Sequence, residues 1–597
     1  MTNPLFAERI TALHLEIAAA GCDGFLVPMG DEYQNEFVPL CGERLKFLSG
    51  FTGSAATIIV LKDKAAFFTD SRYTLQAAQE VPADLFALFD SAQKTPLAWL
   101  EENAGQGSKI GYDPWLHAAQ AIERLKKSLA KISSEAVPVA RNPIDAIWSD
   151  RPAPPLQPVV AHELAYAGKS SAEKRKEIAE TLKKKDLAAF VVTDPSSVAW
   201  LLNVRGNDTD FTPLPLSRAI LHENSHVEWF VDVRKVTKAL PAHLGVEVTI
   251  LPPDDFPAAL DRLAERGKRV LLDPEQAPVW VADRFREKKG VIELGEDLCE
   301  LPRAIKNPTE IEGMRAAHRR DGAALTSFLA WLDKNWAKGL SEIDAAKKLS
   351  DFRDANNNYR GPSFATISAA GAHGAIVHYH ATKENNAQME RGQLYLLDSG
   401  GQYLDGTTDV TRTVVLGEPS AEMCANFTRV LKGHIALALV RFPDGTTGGE
   451  LDVLARQYLW AVGLDYGHGT GHGVGAYLGV HEGPQAISKR SKVPLKPGMV
   501  LSNEPGFYKE GHYGIRIESL LAVVEIPGLG TAERKMYGFE TLTLVPIDRH
   551  LIDLALLNGE ELKWINAYHQ RVRQVLRPLI ADEAVPWLDA ATEPLKK

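Results

Sequence analysis

The chain has 597 residues, of which 45% are hydrophobic and 24% are charged. These proportions are typical of a globular protein with a large core, and they exclude the disordered, collagenous and fibrous classes. The 67 basic and 77 acidic residues give a net charge of −10, so nucleic acid and anionic membrane surfaces are poor candidate partners. At roughly 100–200 residues per domain, this length predicts three to six folded units.

The cysteines and the N-terminal segment predict a cytoplasmic location. The four cysteines, at positions 22, 41, 299 and 424, are far apart and form no C-x-x-C pair, which argues against a disulfide framework or a zinc ribbon. Charged residues interrupt the first 26 positions before any apolar run reaches signal-peptide length, and no stretch approaches 18 uninterrupted apolar residues. We therefore expect a reducing compartment and no membrane partner.

The first 300 residues contain a weak internal repeat. Phe-Thr-Asp-Ser-Arg at 68–72 parallels Phe-Val-Asp-Val-Arg at 230–234, and Ile-Gly-Tyr-Asp-Pro at 110–114 parallels Val-Leu-Leu-Asp-Pro at 270–274. Each copy opens with an amphipathic helix that is followed by a buried strand. The pattern predicts two similar α/β domains, 1–155 and 156–305, joined through the proline-rich stretch at 151–155.

Residues 306–540 have an α+β pattern. Thr309 and Glu312 have capping-box spacing, which predicts a long amphipathic helix reaching about Trp331, and a second box runs from Ser341 to Asp344. Short strands rich in Val, Ile and Thr then alternate with glycine turns and with helical stretches near 420–440 and 449–462.

Residues 541–597 form a C-terminal extension that is predicted to be helical from about 545. Trp564, Tyr568, Val572 and Val575 recur at helical spacing, which is typical of a core face or a subunit-contact face. On the second interpretation, we expect a homodimer.

Two aspartates bracket a turn signal in the third region. Asp398 closes an apolar run, and Asp405-Gly406 predicts that the chain doubles back and brings Asp398 and Asp409 across a short antiparallel pair. Two carboxylates at so short a distance repel each other unless they share a proton or a cation. The alternative is structural: Asp398 caps a strand end and Asp409 lies in a turn.

A run at 467–475 alternates glycine with His468 and His472 and is followed by His481. Glycine at this density allows close approach of the backbone to a ligand or metal, and it leaves the imidazoles little packing role. A dinucleotide-binding loop is the rival interpretation, but the run lacks the flanking strand and helix and the acidic partner. His481-Glu482 lacks the second histidine of H-E-x-x-H, which excludes a zincin.

Two glutamates follow apolar runs further along the chain. Glu504 lies after a run at 499–501, and strict alternation at 515–518 places Arg516 and Glu518 on one face, with Ile515 and Ile517 directed into the core. A structural ion pair between Arg516 and Glu518 is the alternative for those two residues alone.

Together these residues form a set of four carboxylates and one imidazole: Asp398, Asp409, His472, Glu504 and Glu518. A set rich in oxygen and free of thiolate suits two divalent ions, with Mn(II) as the first choice and Co(II) or Zn(II) as alternatives. Paired ions of this kind lie about 3.5–4 Å apart, bridge a water whose pKa they lower, and polarise a carbonyl. The implied chemistry is hydrolysis.

The strings DSGGQYLDGTTDVTRT at 398–413, GTGHGVG at 469–475, NEPG at 503–506 and GIRIE at 514–518 resemble the pita-bread metallopeptidases. That superfamily includes methionine aminopeptidase, prolidase and X-prolyl aminopeptidase. Length and layout resemble the long, three-domain cytosolic X-prolyl aminopeptidases over nearly the whole chain. The resemblance implies two creatinase-like N-terminal α/β domains, a pita-bread α+β catalytic domain and a helical C-terminal extension.

The resemblance also implies the activity and the metal ligands. A water or hydroxide that bridges two divalent metals would release the N-terminal residue from peptides with proline in the second position. Asp398 would bind one metal, His472 and Glu504 the other, and Asp409 and Glu518 both. Glu504 would also shuttle the proton of the bridging water.

Three histidines are assigned by the same resemblance. His378 and His481 would contact the substrate and stabilise the tetrahedral oxyanion, and His468 would be a further active-site histidine. Arg516 would orient acidic groups. The rival functions are a prolidase that cleaves Xaa-Pro dipeptides, a creatinase-type amidinohydrolase without metal, and a non-catalytic pita-bread scaffold protein.

Overall fold

A computed structural model of the chain describes residues 4–531 and 533–596. It contains two compact units, each built on its own hydrophobic clusters. The N-terminal unit comprises Met1–His162 and Lys169–Cys299, and the C-terminal unit comprises Glu163–Gly168 and Glu300–Lys597. No helix within the described residues combines the length and the apolar character needed to cross a membrane.

The N-terminal unit begins with a mixed six-stranded sheet in the order β4-β3-β2-β1-β5-β6. The strands are β1 (Gly24–Pro28), β2 (Ala56–Leu61), β3 (Ala65–Thr69), β4 (Ala87–Asp90), β5 (Lys109–Tyr112) and β6 (Glu135–Pro138). The helices are α1 (Pro4–Ala19), α2 (Arg44–Ser49), α3 (Thr74–Glu80), α4 (Pro96–Asn103), α5 (Ala119–Ala130) and α6 (Pro143–Ile147).

A second six-stranded sheet repeats this design in the order β12-β11-β10-β8-β13-β14. Its segment contains β7 (Val160–Ala161), β8 (Ala189–Val192), β9 (Val204–Arg205), β10 (Arg218–His222), β11 (Val227–Phe230), β12 (Val248–Leu251), β13 (Arg269–Leu272) and β14 (Val291–Leu294). The helices are α7 (Leu164–Ala167), which belongs to the C-terminal unit, α8 (Ser171–Lys184), α9 (Pro195–Leu202), α10 (Leu240–Leu244), α11 (Phe256–Glu265) and α12 (Val279–Glu287).

The two sheets agree in strand direction as well as in order. The central strands β1 and β8 each pair antiparallel with the strand on one side and parallel with β5 or β13 on the other. The outer pairs β3–β4, β5–β6, β11–β12 and β13–β14 are all parallel. The predicted repeat of two similar α/β domains is therefore confirmed.

The C-terminal unit contains several small sheets: β21-β28-β27-β24 has four strands, and β15-β18-β19 and β16-β17-β20 have three each. The strands are β15 (Tyr359–Pro362), β16 (Ile367–Ala370), β17 (Gln393–Ser399), β18 (Gly401–Tyr403), β19 (Gly406–Thr407), β20 (Val410–Leu416), β21 (Phe442–Pro443), β22 (Gly471–His472), β23 (Ala486–Ile487), β24 (Val500–Asn503), β25 (Gly506–Lys509), β26 (Tyr513–Arg516), β27 (Ser519–Gly530) and β28 (Lys535–Thr541).

Several helices of this unit pack against its strands, and two match the predicted stretches near 420–440 and 449–462. The helices of this unit are α13 (Glu300–Ala304), α14 (Pro308–Asn335), α15 (Glu342–Asp354), α16 (Ala421–Leu439), α17 (Gly448–Trp460), α18 (Gly559–Leu576) and α19 (Val585–Ala591).

One of the two predicted capping boxes is wrong. The side chain of Asn307 accepts hydrogen bonds from the backbone N–H groups of Thr309 and Glu310, and Glu310 bonds back to the N–H of Asn307. Helix α14 therefore begins two residues earlier than the Thr309–Glu312 spacing predicts, with Pro308 in the first turn, where its missing N–H costs nothing. The second box, from Ser341 to Asp344, is confirmed at the start of α15.

The C-terminal extension becomes helical at Gly559, later than the predicted position of about 545. The apolar stripe of α18 packs within the chain: Tyr568 and Val572 are buried, with Trp564 and Val575 against the same cluster. Tyr568 and Val572 therefore belong to the core of this unit, whereas Trp564 and Val575 keep part of their surface exposed. The predicted homodimer stays a prediction.

Candidate metal centre

A β-hairpin within the C-terminal unit brings two aspartates to one buried place. Strands β17 and β20 pair antiparallel with Asp398 opposite Thr411, so Asp409 lies just before the paired part of β20. The predicted turn is present between β18 and β19, where Tyr403 pairs with Gly406. Asp398 is 8% exposed and Asp409 is 3% exposed, which makes both carboxylates interior groups.

His472 and Glu504 reach the same place from β22 and from the end of β24. The Nε2 atom of His472 lies 3.5 Å from Asp409 Oδ2 and 3.4 Å from Glu504 Oε1. Its Nδ1 donates to the carbonyl oxygen of Gly473 at 3.0 Å, and a carbonyl can only accept, so Nδ1 carries a proton. Nε2 is thus the atom that faces the carboxylates, which is the usual orientation of a metal-binding histidine.

Glu518 follows β26 and completes a three-residue cluster. One donor atom each from Asp409, His472 and Glu518 lies within 4.8 Å of the other two. Thr411 Oγ1 donates to Glu518 Oε2 at 2.7 Å, which fixes the carboxylate. The structure thus groups three of the five predicted residues, with Glu504 beside His472 and with Asp398 near enough to raise the pKa of Glu518.

Arg516 is paired with Asp398 and not with Glu518. Its Nη2 atom donates to Asp398 Oδ2 at 2.6 Å, and its Nε donates to Thr411 Oγ1 at 3.1 Å. The alternative of a local ion pair between Arg516 and Glu518 is therefore wrong. The guanidinium reaches across the hairpin to a residue 118 positions away in sequence.

The carboxylates of this centre carry an electrostatic conflict. Burial, together with the charge of Asp409, raises the pKa of Asp398 to about 6, although Arg516 lowers it. Burial and the neighbouring carboxylates of Asp409 and Asp398 also raise the pKa of Glu518 well above its usual range. Protein neighbours alone thus leave this cluster short of positive charge.

His472 and Glu504 form the part of the cluster where charge is balanced. Although burial lowers the pKa of His472, Asp409 and Glu504 raise it to about 9. Burial raises the pKa of Glu504, but the charge of His472 lowers it overall. In the protein alone, the positive charge of the His472 imidazolium therefore compensates part of the negative charge of Asp409 and Glu504.

The donor set fits divalent metal ions. Asp398 Oδ1 is buried and has no hydrogen-bond partner among the described residues, so its lone pairs are directed at no donor. The remaining donors are carboxylate oxygens and one imidazole nitrogen, which suit Mn(II), Co(II) or Zn(II) and lack the thiolates typical of a structural zinc site.

His468 has both ring nitrogens engaged. Its Nδ1 donates to the carbonyl oxygen of Gly469 at 2.7 Å, and its Nε2 lies 2.7 Å from the hydroxyl of Tyr508. Burial lowers the pKa of His468 to about 4, so the ring is neutral and Nε2 accepts the hydroxyl proton. The oxygen of Tyr508 in turn accepts from Nη1 of Arg516 at 2.7 Å.

The other two predicted histidines border the cluster. His481 is exposed, and its ring meets that of His472 edge to face, with 4.4 Å between the centroids. His378 is half-buried in a turn, and the carbonyl oxygen of the preceding Val377 accepts from Arg516 Nη2 at 3.4 Å.

Sequence reasoning missed Tyr508, Thr411 and Ser502 as parts of the centre. Ser502 accepts from the backbone N–H of His472 and donates to Glu504 Oε1 at 3.1 Å. Thr411 and Ser502 each lie two residues from a predicted ligand, Asp409 or Glu504, and Tyr508 lies four residues after Glu504. For Thr411 and Ser502, that proximity is the signal that could have found them, because ligands need neutral hydrogen-bond partners.

Comparison with known proteins shows to which family the chain belongs. The sequence model of Metallopeptidase family M24 matches residues 312–525, and that of the Creatinase/Prolidase N-terminal domain matches 9–146 and 150–310. The C-terminal region of peptidase_M24 matches 535–595. A probable Xaa-Pro aminopeptidase P from Aspergillus flavus is 40% identical, over 99% of this chain and 93% of the relative.

The chain belongs to the aminopeptidase P family. Aminopeptidase P2 of Arabidopsis thaliana, also of this family, is 39% identical over 97% of this chain and 86% of its own length. The crystal structure of X-prolyl aminopeptidase from Caenorhabditis elegans, described as a cytosolic enzyme with a di-nuclear active site, superposes with a TM-score of 0.95. It is 36% identical, and the alignment covers 100% of both chains.

Membership of the aminopeptidase P family confirms the predicted fold class of two creatinase-like domains, a pita-bread catalytic domain and a helical C-terminal extension. It also confirms that the chain is a member of a family of metalloaminopeptidases.

Proposed function

We propose that this chain is an Xaa-Pro aminopeptidase that uses two divalent cations to remove the N-terminal residue from peptides with proline in the second position. The observation that carries the proposal is the convergence of Asp409, His472 and Glu518 to within 4.8 Å in the interior of the C-terminal unit. The substrate class comes from the similarity to the Xaa-Pro aminopeptidase of A. flavus and the X-prolyl aminopeptidase of C. elegans.

Five side chains would hold the ions: Asp398, Asp409, His472, Glu504 and Glu518. Mn(II) is our first choice, with Co(II) and Zn(II) as alternatives. When bound, such ions lower the pKa of water and polarise the carbonyl under attack. Support comes from the unpartnered Asp398 Oδ1 and from the raised pKa values of Asp398 and Glu518, because both features are relieved by added positive charge.

Glu504 would move the proton of the attacking water to the leaving amine. Its pKa is lowered overall, which keeps it ionised and able to accept a proton. The hydrogen bond from Ser502 to Oε1 holds the carboxylate in one orientation beside His472. A fixed base next to the reacting water avoids the cost of orienting it during the reaction.

His378 and His481 would donate to the oxygen of the tetrahedral intermediate. Support comes from the contact between the rings of His481 and His472 and from the hydrogen bond of Arg516 to Val377, the neighbour of His378. For His468 the contacts favour a supporting role, because its two nitrogens already bond Gly469 and Tyr508. We infer that it orients Tyr508. The hydroxyl of Tyr508 accepts from Arg516, and Arg516 in turn donates to the Asp398 carboxylate.

Proline in the second position fits a site of this kind. Its tertiary amide lacks an N–H, so peptidases that bind that donor reject it. A centre built from carboxylates, imidazoles and cations makes no such demand on the scissile bond. The proposal includes the cytoplasmic location, a homodimer and the division into domains 1–155, 156–305, 306–540 and 541–597.

The test is hydrolysis of an Xaa-Pro-Pro tripeptide and of Gly-Pro, before and after exhaustive chelation. We expect cleavage of the tripeptide, loss of cleavage on chelation, and recovery with Mn(II). Cleavage of the dipeptide alone would make the chain a prolidase, and no hydrolysis with bound metal would indicate a scaffold protein. Activity that survives complete metal removal would refute the two-metal proposal.

A matched pair of variants separates ligands from other acidic residues. Glu518→Gln should lose bound metal by elemental analysis while the fold persists by circular dichroism. Glu422→Gln, whose carboxylate pairs with Lys509 away from the cluster, should retain it. Equal metal content in both variants would show that Glu518 is not a ligand.

A further inference from the structure

The C-terminal unit contains a long irregular segment next to the metal centre. Residues 371–392, the 371–392 loop, join β16 to β17 and contain only one short 3₁₀ helix, Gly371–Ala375. Irregular loops longer than about 12–15 residues are uncommon in compact domains unless they have a function. This loop includes His378, and what holds it in one conformation is therefore a functional question.

The carboxylate of Glu342 is the centre of that loop's hydrogen bonds. Glu342 is the first residue of α15, and its side chain is 0% exposed. Oε1 accepts from the N–H of Ala370 at 2.7 Å and from His373 Nδ1 at 2.9 Å. Oε2 accepts from the hydroxyl of Tyr379 at 2.8 Å and from the N–H of Ala387 at 2.8 Å.

These four donors come from the 371–392 loop and from Ala370, the residue immediately before it. A buried carboxylate is costly unless hydrogen bonds replace its hydration, and here the loop supplies nearly all of them. The start of α15 adds favourable electrostatics for the anion. The buried carboxylate of Glu342 and the conformation of the loop therefore stabilise each other.

The residues that donate to Glu342 lie on both sides of His378 in the sequence. Tyr379 follows it directly, and His373, whose ring stacks on that of Tyr379 at 4.4 Å, lies five residues before it. With Ala387 bonded on the far side, the turn that presents His378 is fixed from both directions. A side chain in such a turn has little freedom to leave its place.

The loop also contacts the metal centre directly. Arg516 Nη2 donates both to the carbonyl oxygen of Val377 and to Asp398 Oδ2. On the other side of Val377, the backbone of Gly374 packs so closely on Gly514 of β26 that a Cβ added to Gly514 would lie 1.7 Å from Gly374 O. The loop is thus held at two places: by hydrogen bonds to Glu342 and by close packing on β26.

We infer that Glu342 is a positioning residue that acts on catalysis through His378 by fixing the 371–392 loop against the metal centre. The inference rests on the proposed function, in which His378 contacts the substrate. Glu342 touches neither the substrate nor the predicted metal ligands. Its effect should therefore disappear when His378 is absent.

The test is a double-mutant cycle of Glu342→Gln and His378→Ala, with kcat and KM for an Xaa-Pro-Pro peptide and bound metal measured for each protein. Glutamine preserves the shape, but its NH2 group would face two of the four donors. We expect Glu342→Gln to lower kcat by roughly 10–100-fold with metal content unchanged, as for other small displacements of a catalytic group. In the His378→Ala background, it should cause no further loss.

Two tyrosine variants provide a milder test with a matched control. Tyr379→Phe removes one donor to Glu342, and we expect a roughly 3–10-fold loss of kcat. Tyr537→Phe also removes a hydroxyl that bonds to a carboxylate, that of Asp444, but it lies on β28 and away from the loop. It should change kcat by less than about twofold. An equal loss in both would overturn the inference.

Hydrogen exchange separates failure of this inference from failure of the proposed function, because it needs no substrate. Glu342→Gln should speed exchange of the amides in the 371–392 loop more than those in α16. Unchanged protection of the loop would overturn the inference whatever the activity. Multiplicative losses in the cycle would also overturn it, because Glu342 would then act on the enzyme independently of His378.

Discussion

Removing the charge of Asp398 should stabilise the metal-free protein, although it removes a predicted metal ligand. Burial and the Asp409 carboxylate raise the pKa of Asp398 from 3.8 to about 6. The folded state therefore prefers the protonated carboxyl, and ionising it in the fold costs about 1.4 kcal/mol per pKa unit relative to the unfolded chain. At about pH 7.5, that cost is about 3 kcal/mol.

The sign of the pH dependence follows from the direction of the shift. A raised carboxyl pKa makes the destabilisation fully present above pH 6, and it disappears as the pH falls through 3.8. Asp398→Asn cannot ionise, and its carboxamide oxygen can still accept from Arg516. Its advantage over wild type should therefore fall to about half at about pH 5.

The assay is thermal unfolding of chelator-treated proteins with and without added Mn(II). At roughly 1.5 °C per kcal/mol for a unit of about 300 residues, the metal-free variant should unfold roughly 4–5 °C above metal-free wild type at about pH 7.5. Saturating Mn(II) should reverse the order, because only wild type retains every ligand and gains the full binding free energy.

Asp405→Asn is the control, because Asp405 pairs with Arg320 outside the cluster and its neutralisation should bring no stabilisation. The reasoning is refuted if metal-free Asp398→Asn is no more stable than wild type, since the carboxylate would then suffer no net repulsion. Unchanged metal content in the variant would refute the ligand assignment separately.

Two further predictions concern other parts of the chain. Gly514→Ala should lower the unfolding temperature by several degrees, because its methyl group would lie 1.7 Å from Gly374 O. Gly559→Ala is the control and should leave the unfolding temperature unchanged, because its methyl group meets nothing within 4 Å. Equal unfolding midpoints of the two variants would contradict this prediction. Burial lowers the pKa of His117 to about 4, so its contribution to stability is lost as the pH falls from 6.5 through 4. His117→Gln should reduce that acid loss by about 3 kcal/mol in urea unfolding, and an unchanged pH slope would count against it.

The features that sequence predicted well are local ones. The hairpin between Asp398 and Asp409 follows from a buried run, a turn signal and a second run, all within 20 residues. The repeated sheets follow from short motifs at a constant offset. Each of these patterns is fixed by neighbours in the chain, so the periodicity of the sequence carries it.

The features that sequence missed depend on distant contacts. Arg516 is two residues from Glu518 and 118 from Asp398, and alternation favours the near partner, yet the hairpin brings the far one closer. Glu342 looks like an ordinary acidic residue in the first turn of a helix. Its role depends on Tyr379 and Ala387, which reach it only when the loop folds back.

The cluster is built so that its stability depends on something outside the chain. Within the described part of the chain, Asp398 is the one carboxylate of the four that pairs with a permanently charged group, Arg516, while Glu518 is bonded by Thr411 and Glu504 by Ser502. Neutral hydroxyls orient carboxylates without cancelling their charge. A bound cation would therefore contribute to folding as well as to catalysis, and metal affinity and stability of the C-terminal unit should rise and fall together.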